Sequence, residues 1–280
     1  MLLLAVLLAA TACRVDREHP FPPVADEVTG QPGSPTPSGP ASPPPGPGCP
    51  GPVTAAPADL SQRVAAVEAE TGTRVSVTLV DPARGLVSAG SLEPAAAWST
   101  IKVPIALAVV QDQGPQAHPE AVRAALRESD NEAADQLWRS LGPAPQAALR
   151  VTTALRQAGD ATTVVPATAS RPPYSTFGQT VWSTAEQARF MLQLPCLPGA
   201  DVVTGHLQQV TAEQRWGIAG RPGATLKGGW GPARQSGFEA RQLGWYQAAD
   251  GSRTVVAVAV RADTFPEATR VLTRLAGQLP

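Results

Sequence analysis

The spacing of hydrophobic and polar residues predicts regular structure from about residue 58 onward. Residues 58–71 place apolar side chains every three or four positions, which predicts an amphipathic helix. Residues 74–80 alternate apolar with polar or charged positions, which predicts a strand. A turn at 81–85, rich in turn-forming residues, then leads into a second strand at 86–87. The region therefore begins with a helix and two paired strands.

The rest of the chain alternates between the same two patterns. Residues 99–208 are mostly helical in spacing. Three strands are predicted at 224–226, 240–248 and 253–260, and a closing helix at 264–279.

The order of these elements indicates an α+β fold. Two strands near the start and three near the end can join one antiparallel five-stranded sheet, because sheets combine strands that are distant in sequence. The helices flank that sheet, and the long helical middle forms a lobe beside it. We expect one domain over residues 58–280.

The N-terminus has the pattern of an export signal. Residues 1–12 are almost all apolar, too few to span a bilayer and typical of the apolar core of a signal peptide. Residues 10–13 resemble a bacterial lipoprotein processing site, in which Cys13 is lipidated. We therefore expect an exported protein anchored by lipid to the outer face of the cytoplasmic membrane. An ordinary secretory signal with an incidental Cys13 is the alternative, and the protein is then secreted.

Residues 13–57 form a linker dominated by Pro, Gly, Ser and Thr from residue 20 onward. No hydrophobic period survives there, so we expect a disordered spacer without a partner. Export also makes a disulfide between Cys49 and Cys196 a candidate, since an oxidising compartment permits it. Two unpaired thiols are the equally weighted alternative.

Composition excludes several classes of function. The formal net charge is −1, which leaves no basic excess for nucleic acid. Three histidines and three cysteines are too few and too scattered for a zinc framework, and no motif implies a metal, nucleotide or flavin cofactor. Of the 22 cationic residues, only Lys102 and Lys227 are lysine. Lysine can lose its proton and arginine cannot, so these two positions are candidates for proton transfer.

Ser99 and Lys102 form the first candidate motif, at the start of a strongly apolar helix. Residues at i and i+3 share a helix face, so the lysine amine can reach the serine hydroxyl. A neutral lysine can activate a serine nucleophile, and burial favours the neutral amine. A helix-capping serine beside a surface lysine is the structural alternative.

Two further polar motifs follow. Ser129, Asp130 and Asn131 are consecutive, and alone they are typical of a helix N-terminus. Lys227 and Gly229 stand at the end of a short predicted strand, and alone they indicate a strand-end turn.

In this order the three motifs resemble those of the serine penicillin-recognising superfamily, which includes class A β-lactamases and penicillin-binding proteins. The resemblance covers residues 58–280. It implies a β-lactamase/transpeptidase-like fold and an acyl-enzyme mechanism.

The resemblance also implies a role for each matched residue. Ser99 would be the nucleophile and Lys102 its base. Ser129 would pass a proton to the leaving group, with Lys227 supplying positive charge. The substrate-binding positions would be Asn131, Gly229 and Trp230, and the oxyanion would lie between the backbone N–H groups of Ser99 and Trp230.

Departures from the superfamily pattern qualify that expectation. Gly228 stands where a hydroxyl residue is usual, and we expect Arg241 on the adjacent strand to compensate, a surface arginine being the alternative. Class A β-lactamases carry a glutamate that activates the deacylating water, yet residues 161–185 contain no acid and Asp160 lies in a helix-end turn. Tyr174, in the same stretch, is more often a loop residue than part of a cleft.

We therefore expect a serine hydrolase that acts on an amide or ester, with weak or no β-lactam turnover. The expected substrate is a small molecule or a peptide, with peptidoglycan and β-lactams as candidates, and the lipid anchor would make the membrane a partner. A non-catalytic binding or scaffold lipoprotein and an active class A-like β-lactamase are the alternatives.

Overall fold

The computed structural model describes Cys49 and residues 51–280. The signal segment, Cys13 and the linker up to residue 48 lie outside the described residues. Eight α-helices are present in the described part of the chain: α1 (Leu60–Thr71), α2 (Lys102–Gln113), α3 (Pro119–Arg123), α4 (Asn131–Ser140), α5 (Ala144–Gln157), α6 (Thr184–Gln193), α7 (Ala200–Leu207) and α8 (Phe265–Ala276). None of the helices described there is both long and apolar enough to cross a bilayer.

Strands from both ends of the domain form one antiparallel five-stranded sheet, as the sequence predicts. Its strands are β1 (Arg74–Asp81), β2 (Gly85–Ala89), β5 (Thr225–Pro232), β6 (Phe238–Gln247) and β7 (Arg253–Ala262). Their order in the sheet is β2-β1-β7-β6-β5. A separate two-stranded sheet pairs β3 (Ala95–Ala96) with β4 (Val181–Trp182), and the hydrophobic pattern did not predict it.

Apolar layers cover both faces of the sheet. Helices α1 and α8 pack on one face and contribute Leu60, Val64 and Leu272 to one core cluster. The helical lobe packs on the other face, with α2 at its centre. Every residue of α2 from Lys102 to Val110 is buried, which explains its nearly continuous apolar sequence. The expected α+β architecture is confirmed.

Strand β5 is longer than the pattern at 224–226 indicates. Its glycine-rich second half stays paired with β6, with Gly229 opposite Arg241 and Pro232 opposite Phe238. Glycines carry no hydrophobic signal, so backbone pairing extends the strand beyond its recognisable pattern. This extension places the Lys227–Trp230 segment at the edge of the sheet.

Packed structure begins before residue 58. Val53 forms an isolated parallel bridge with Arg253, the first residue of β7. The Ala56 N–H donates to the Asp81 carboxylate at 2.8 Å. Backbone hydrogen bonds, which do not depend on side-chain hydrophobicity, therefore hold residues that composition assigned to the linker.

Cys49 and Cys196 form a disulfide, with their Cα atoms 5.7 Å apart. Cys196 lies in the 3₁₀ turn Leu194–Cys196, between α6 and α7. The bond thus fastens the chain just before residue 51 to the helical lobe.

Candidate active site

Ser99 lies in a 3₁₀ turn, Trp98–Ile101, that runs directly into α2. The preceding residue, Trp98, has φ of 51°, in the left-handed region that non-glycine residues rarely adopt. Strain of this kind is concentrated at functional sites, where the surrounding structure enforces it.

Strand β5 approaches the Ser99 backbone closely. A methyl group on Gly229 would lie 2.9 Å from the backbone nitrogens of both Ser99 and Thr100, so a side chain there would force a displacement. Glycine at position 229 therefore brings the edge strand against the turn that carries the nucleophile. Trp230, the next residue, lines the same cavity as Ser99.

Lys102 is the first residue of α2, and its side chain is buried, with 1% of its surface exposed. Its amine donates to the backbone oxygens of Ser129 (2.5 Å) and Asp130 (3.0 Å) and to Oδ1 of Asn131 (2.8 Å). These contacts join the first two sequence motifs. Because Lys102 is buried, the alternative of a surface lysine beside a helix-capping serine is wrong.

Ser129 has a left-handed backbone, with φ of 63°, at the end of the π-helical turn Ala124–Glu128. The neighbouring Asp130 caps α4 by accepting from the Ala133 N–H at 2.7 Å. Together the turn and the cap fix Ser129, which is 8% exposed, and direct it toward the sheet.

Lys227 reaches Ser129 from the sheet side. Its amine donates to Ser129 Oγ at 2.7 Å and to the backbone oxygen of Gly228 at 3.0 Å. Burial holds the pKa of the Lys227 amine well below its ordinary value, and the nearby charge of Lys102 lowers that pKa further. Ser129 is thus contacted by both lysines, one at its backbone and one at its hydroxyl, an arrangement suited to proton relay.

Residues 161–180, here called the Tyr174 loop, form a wall of the cavity around Ser99. The residues lining that cavity are Trp98, Ser99, Lys102, Asn131, Tyr174, Ser175, Phe177, Gly178 and Trp230. Tyr174 packs edge-on against Trp98, with ring centroids 5.3 Å apart. The expectation that Tyr174 lies away from the cleft is wrong, because a loop without hydrophobic period gives no indication of the surface it covers.

No carboxylate is among the residues that line this cavity in the described chain. Asp160 is fully buried elsewhere. Its carboxylate accepts from the Thr163 N–H at 2.9 Å and from the Trp182 indole N–H at 3.0 Å. It anchors the start of the Tyr174 loop, which agrees with its sequence position at the end of α5.

Arg241 does not enter the cleft, which corrects the expectation that it compensates for Gly228. It is 2% exposed and donates to the backbone oxygens of Ala95, Ala96 and Trp182. Burial lowers the pKa of this guanidinium to about 10. Arg241 therefore fastens the two-stranded sheet to β6, and it is not among the residues that line the Ser99 cavity.

The structure supplies a packing reason for Gly228. A methyl group at this position would lie 2.8 Å from Cζ2 of Trp216. Trp216 in turn packs edge-on against Trp230 and Phe265. The indole thus occupies the space beside Gly228 that a hydroxyl-bearing side chain would need.

We expect Gly228→Thr to lower the free energy of unfolding by about 1–3 kcal/mol, as overpacking does. Combining it with Trp216→Val should cost less than the sum of the two single changes, because the smaller side chain admits the threonine. Thermal or urea unfolding of the three variants and the parent measures this coupling. If the effects of the two changes on the free energy of unfolding simply add, Trp216 is not the reason that glycine occupies position 228.

No protein-family model and no curated protein matches the chain. Among solved structures, it is similar to the chromosome-encoded β-lactamase of Vibrio parahaemolyticus, with 14% identity, TM-score 0.61, and coverage of 78% of this chain and 97% of that one. It is similar to a putative class A β-lactamase from Rhodopseudomonas palustris, with 20% identity, TM-score 0.60, and the same coverage. A β-lactamase from Streptosporangium roseum gives 16% identity, TM-score 0.60, and coverage of 79% and 98%.

These similarities define the fold, which is β-lactamase-like as the sequence motifs imply. The chain spans nearly the whole length of each of these neighbours. At these identities the similarity shows the fold alone.

Proposed function

We propose that the protein is a serine hydrolase that forms an acyl-enzyme through Ser99. The observation that carries the proposal is the convergence of three distant segments. Both lysines of the chain are buried and contact Ser129, and Lys102 lies one helical turn from Ser99. Burying two lysine amines close together costs free energy, because like charges repel and lose their hydration. This cost favours a functional role for the pair over a purely structural one.

The acylation step follows from these positions. The hydroxyl oxygen of Ser99 attacks the substrate carbonyl, and its proton passes to the neutral amine of Lys102. The resulting oxyanion accepts from the backbone N–H groups of Ser99 and Trp230. As the carbon–nitrogen or carbon–oxygen bond breaks, Ser129 donates its hydroxyl proton to the leaving group. The proton taken from Ser99 replaces it, so that Lys102 returns to the neutral amine and Ser129 to the hydroxyl. Lys227 stabilises Ser129 through the hydrogen bond to its Oγ.

Release of the acyl group is expected to be slow. A deacylating water needs a base, and the cavity lining offers no carboxylate in the described residues. This supports an enzyme that acylates an amide or ester, with cell-wall peptides as the proposed substrate class, and turns over β-lactams weakly or not at all. We further propose export and anchoring through Cys13, which would place this site on the outer face of the membrane.

Intact-mass spectrometry of the full-length protein tests the proposal. Wild type should gain the mass of a serine-directed fluorophosphonate, and Ser99→Ala should not. Ser175→Ala, which alters the other serine of the cavity, should still be labelled. A lasting penicillin adduct on wild type would show in addition that a β-lactam acylates the protein and that the acyl group is not released.

Two outcomes would contradict the proposal. Equal labelling of wild type and Ser99→Ala would assign the reaction to another residue. A wild type that stays unlabelled by both reagents would favour the non-catalytic binding or scaffold protein.

A further inference from the structure

Trp98 lines two cavities, and the second is distinct from the site around Ser99. The second cavity lies between the Tyr174 loop and the turn at 233–237 that joins β5 to β6. Its charged lining residues are Arg171, Arg234, Arg261 and Glu239. Ser99, Lys102, Ser129 and Lys227 are not among its lining residues.

Positive charge predominates in this second cavity. Glu239 is buried and forms a salt bridge with Arg261, in which Arg261 Nη2 lies 2.6 Å from Glu239 Oε1. Arg171 and Arg234 have no carboxylate within ion-pair distance in the part of the chain that the structure describes. Three arginines and one glutamate leave a formal charge of +2 on the lining.

The two arginines without a carboxylate partner belong to opposite sides of the cavity and reach across it. Arg171, in the Tyr174 loop, donates to the backbone oxygen of Pro232 at the end of β5 from both terminal nitrogens, each at 3.2 Å. Arg234, in the turn, donates to Ser170 Oγ at 3.4 Å. Each side of the cavity thus carries one arginine that is hydrogen-bonded to the other side.

Aromatic rings beside the cavity hold the Arg171 side chain in place. The Arg171 guanidinium lies 5.9 Å from the centre of the Trp98 ring and 5.2 Å from that of Tyr174, so the cation is fixed against aromatic faces.

We propose that this cavity binds a small oxyanion with two negative charges, a phosphate or a dicarboxylate, between Arg171 and Arg234. Guanidinium groups present a planar fork of donors that matches the oxygens of both kinds of anion. The bound anion neutralises the positive charge of the lining and joins the Tyr174 loop to the turn that follows β5. Since Tyr174 is three residues from Arg171 and lines the Ser99 cavity, the anion also steadies that wall.

Titration of the full-length protein with inorganic phosphate, and separately with succinate, tests the site. Ionic strength is held constant with sodium chloride, and binding is followed by the thermal unfolding midpoint and by calorimetry. We expect at least one of the two anions to raise the midpoint of wild type and to bind measurably. Its affinity should fall at least about tenfold in Arg234→Gln, the loss typical of one charge-assisted pair.

Arg270→Gln is the matched control, because Arg270 is also an exposed arginine but lies on α8, outside the cavity. Its affinity for the anion should equal that of wild type. An equal response in all three proteins would mean general screening and would overturn the proposal, as would the absence of binding by both anions. Because Arg234 is exposed and makes one long hydrogen bond, its replacement leaves the fold intact.

Discussion

Replacing Lys102 with arginine should slow the acylation of Ser99 by at least about a thousandfold, within the range that a general base contributes. Arginine keeps the positive charge but cannot become neutral, so it cannot accept the Ser99 proton. It is also larger, and the Lys102 amine already lies among three oxygen acceptors in a buried space. The rate of fluorophosphonate labelling measures the effect.

Lys102→Met is the companion variant, because it removes the amine without adding bulk. Both variants should lose labelling, whereas circular dichroism should show that Lys102→Met keeps the fold. Rapid labelling of a folded Lys102→Met protein would contradict the assignment of Lys102 as the base. Loss in the arginine variant alone would indicate a steric effect.

The residues that the structure brings together at the candidate site could be singled out from the sequence, because they stand out by short spacing and rare residue type. Ser99 and Lys102 are three residues apart on one helix, and only two lysines occur among 22 cations. The sheet could be predicted too, since strands β1, β6 and β7 carry a strong apolar pattern. In each case the signal is local in the chain.

What escaped prediction depends on contacts between distant segments. Gly228 is explained by Trp216, twelve residues earlier, whose ring fills the adjacent space. Arg241 looked available for a substrate, but three carbonyl groups from β3 and β4 bind it. The position of Tyr174 in the wall of the Ser99 cavity depends on the path of an irregular loop. None of these relations leaves a periodic pattern in the sequence.

Two features of the Ser99 cavity bear on the rates of the proposed acylation and deacylation steps. They are the fixed positions of its polar groups and the absence of a carboxylate among the described residues that line it. Buried hydrogen bonds hold Lys102, Ser129 and Lys227, so the acylation step of the proposed mechanism is preorganised. The Tyr174 loop contributes Tyr174, Ser175 and Phe177 to the wall of the Ser99 cavity, and no acid is among the described residues that line it. In the proposed mechanism, acylation should therefore be faster than deacylation.

Removing the Cys49–Cys196 disulfide should lower the free energy of unfolding by about 2–5 kcal/mol, the range for a native disulfide. The bond closes a loop with a sequence separation of 147, and a long loop restricts the unfolded chain strongly. For a domain of this size the thermal midpoint should fall by roughly 10 °C. The measurement compares wild type with Cys49→Ser/Cys196→Ser, each with and without a reducing agent.

Reductant should move the wild-type midpoint to that of the double variant and leave the double variant unchanged. Ser99 labelling should persist at low temperature in both, because Cys196 lies between α6 and α7 and lines no part of the Ser99 cavity. An unchanged midpoint would show that the hydrogen bonds at Thr54 and Ala56 suffice to hold the first packed residues. A lowered midpoint with intact labelling would instead show that the bond stabilises the domain and that the arrangement around Ser99 is independent of it.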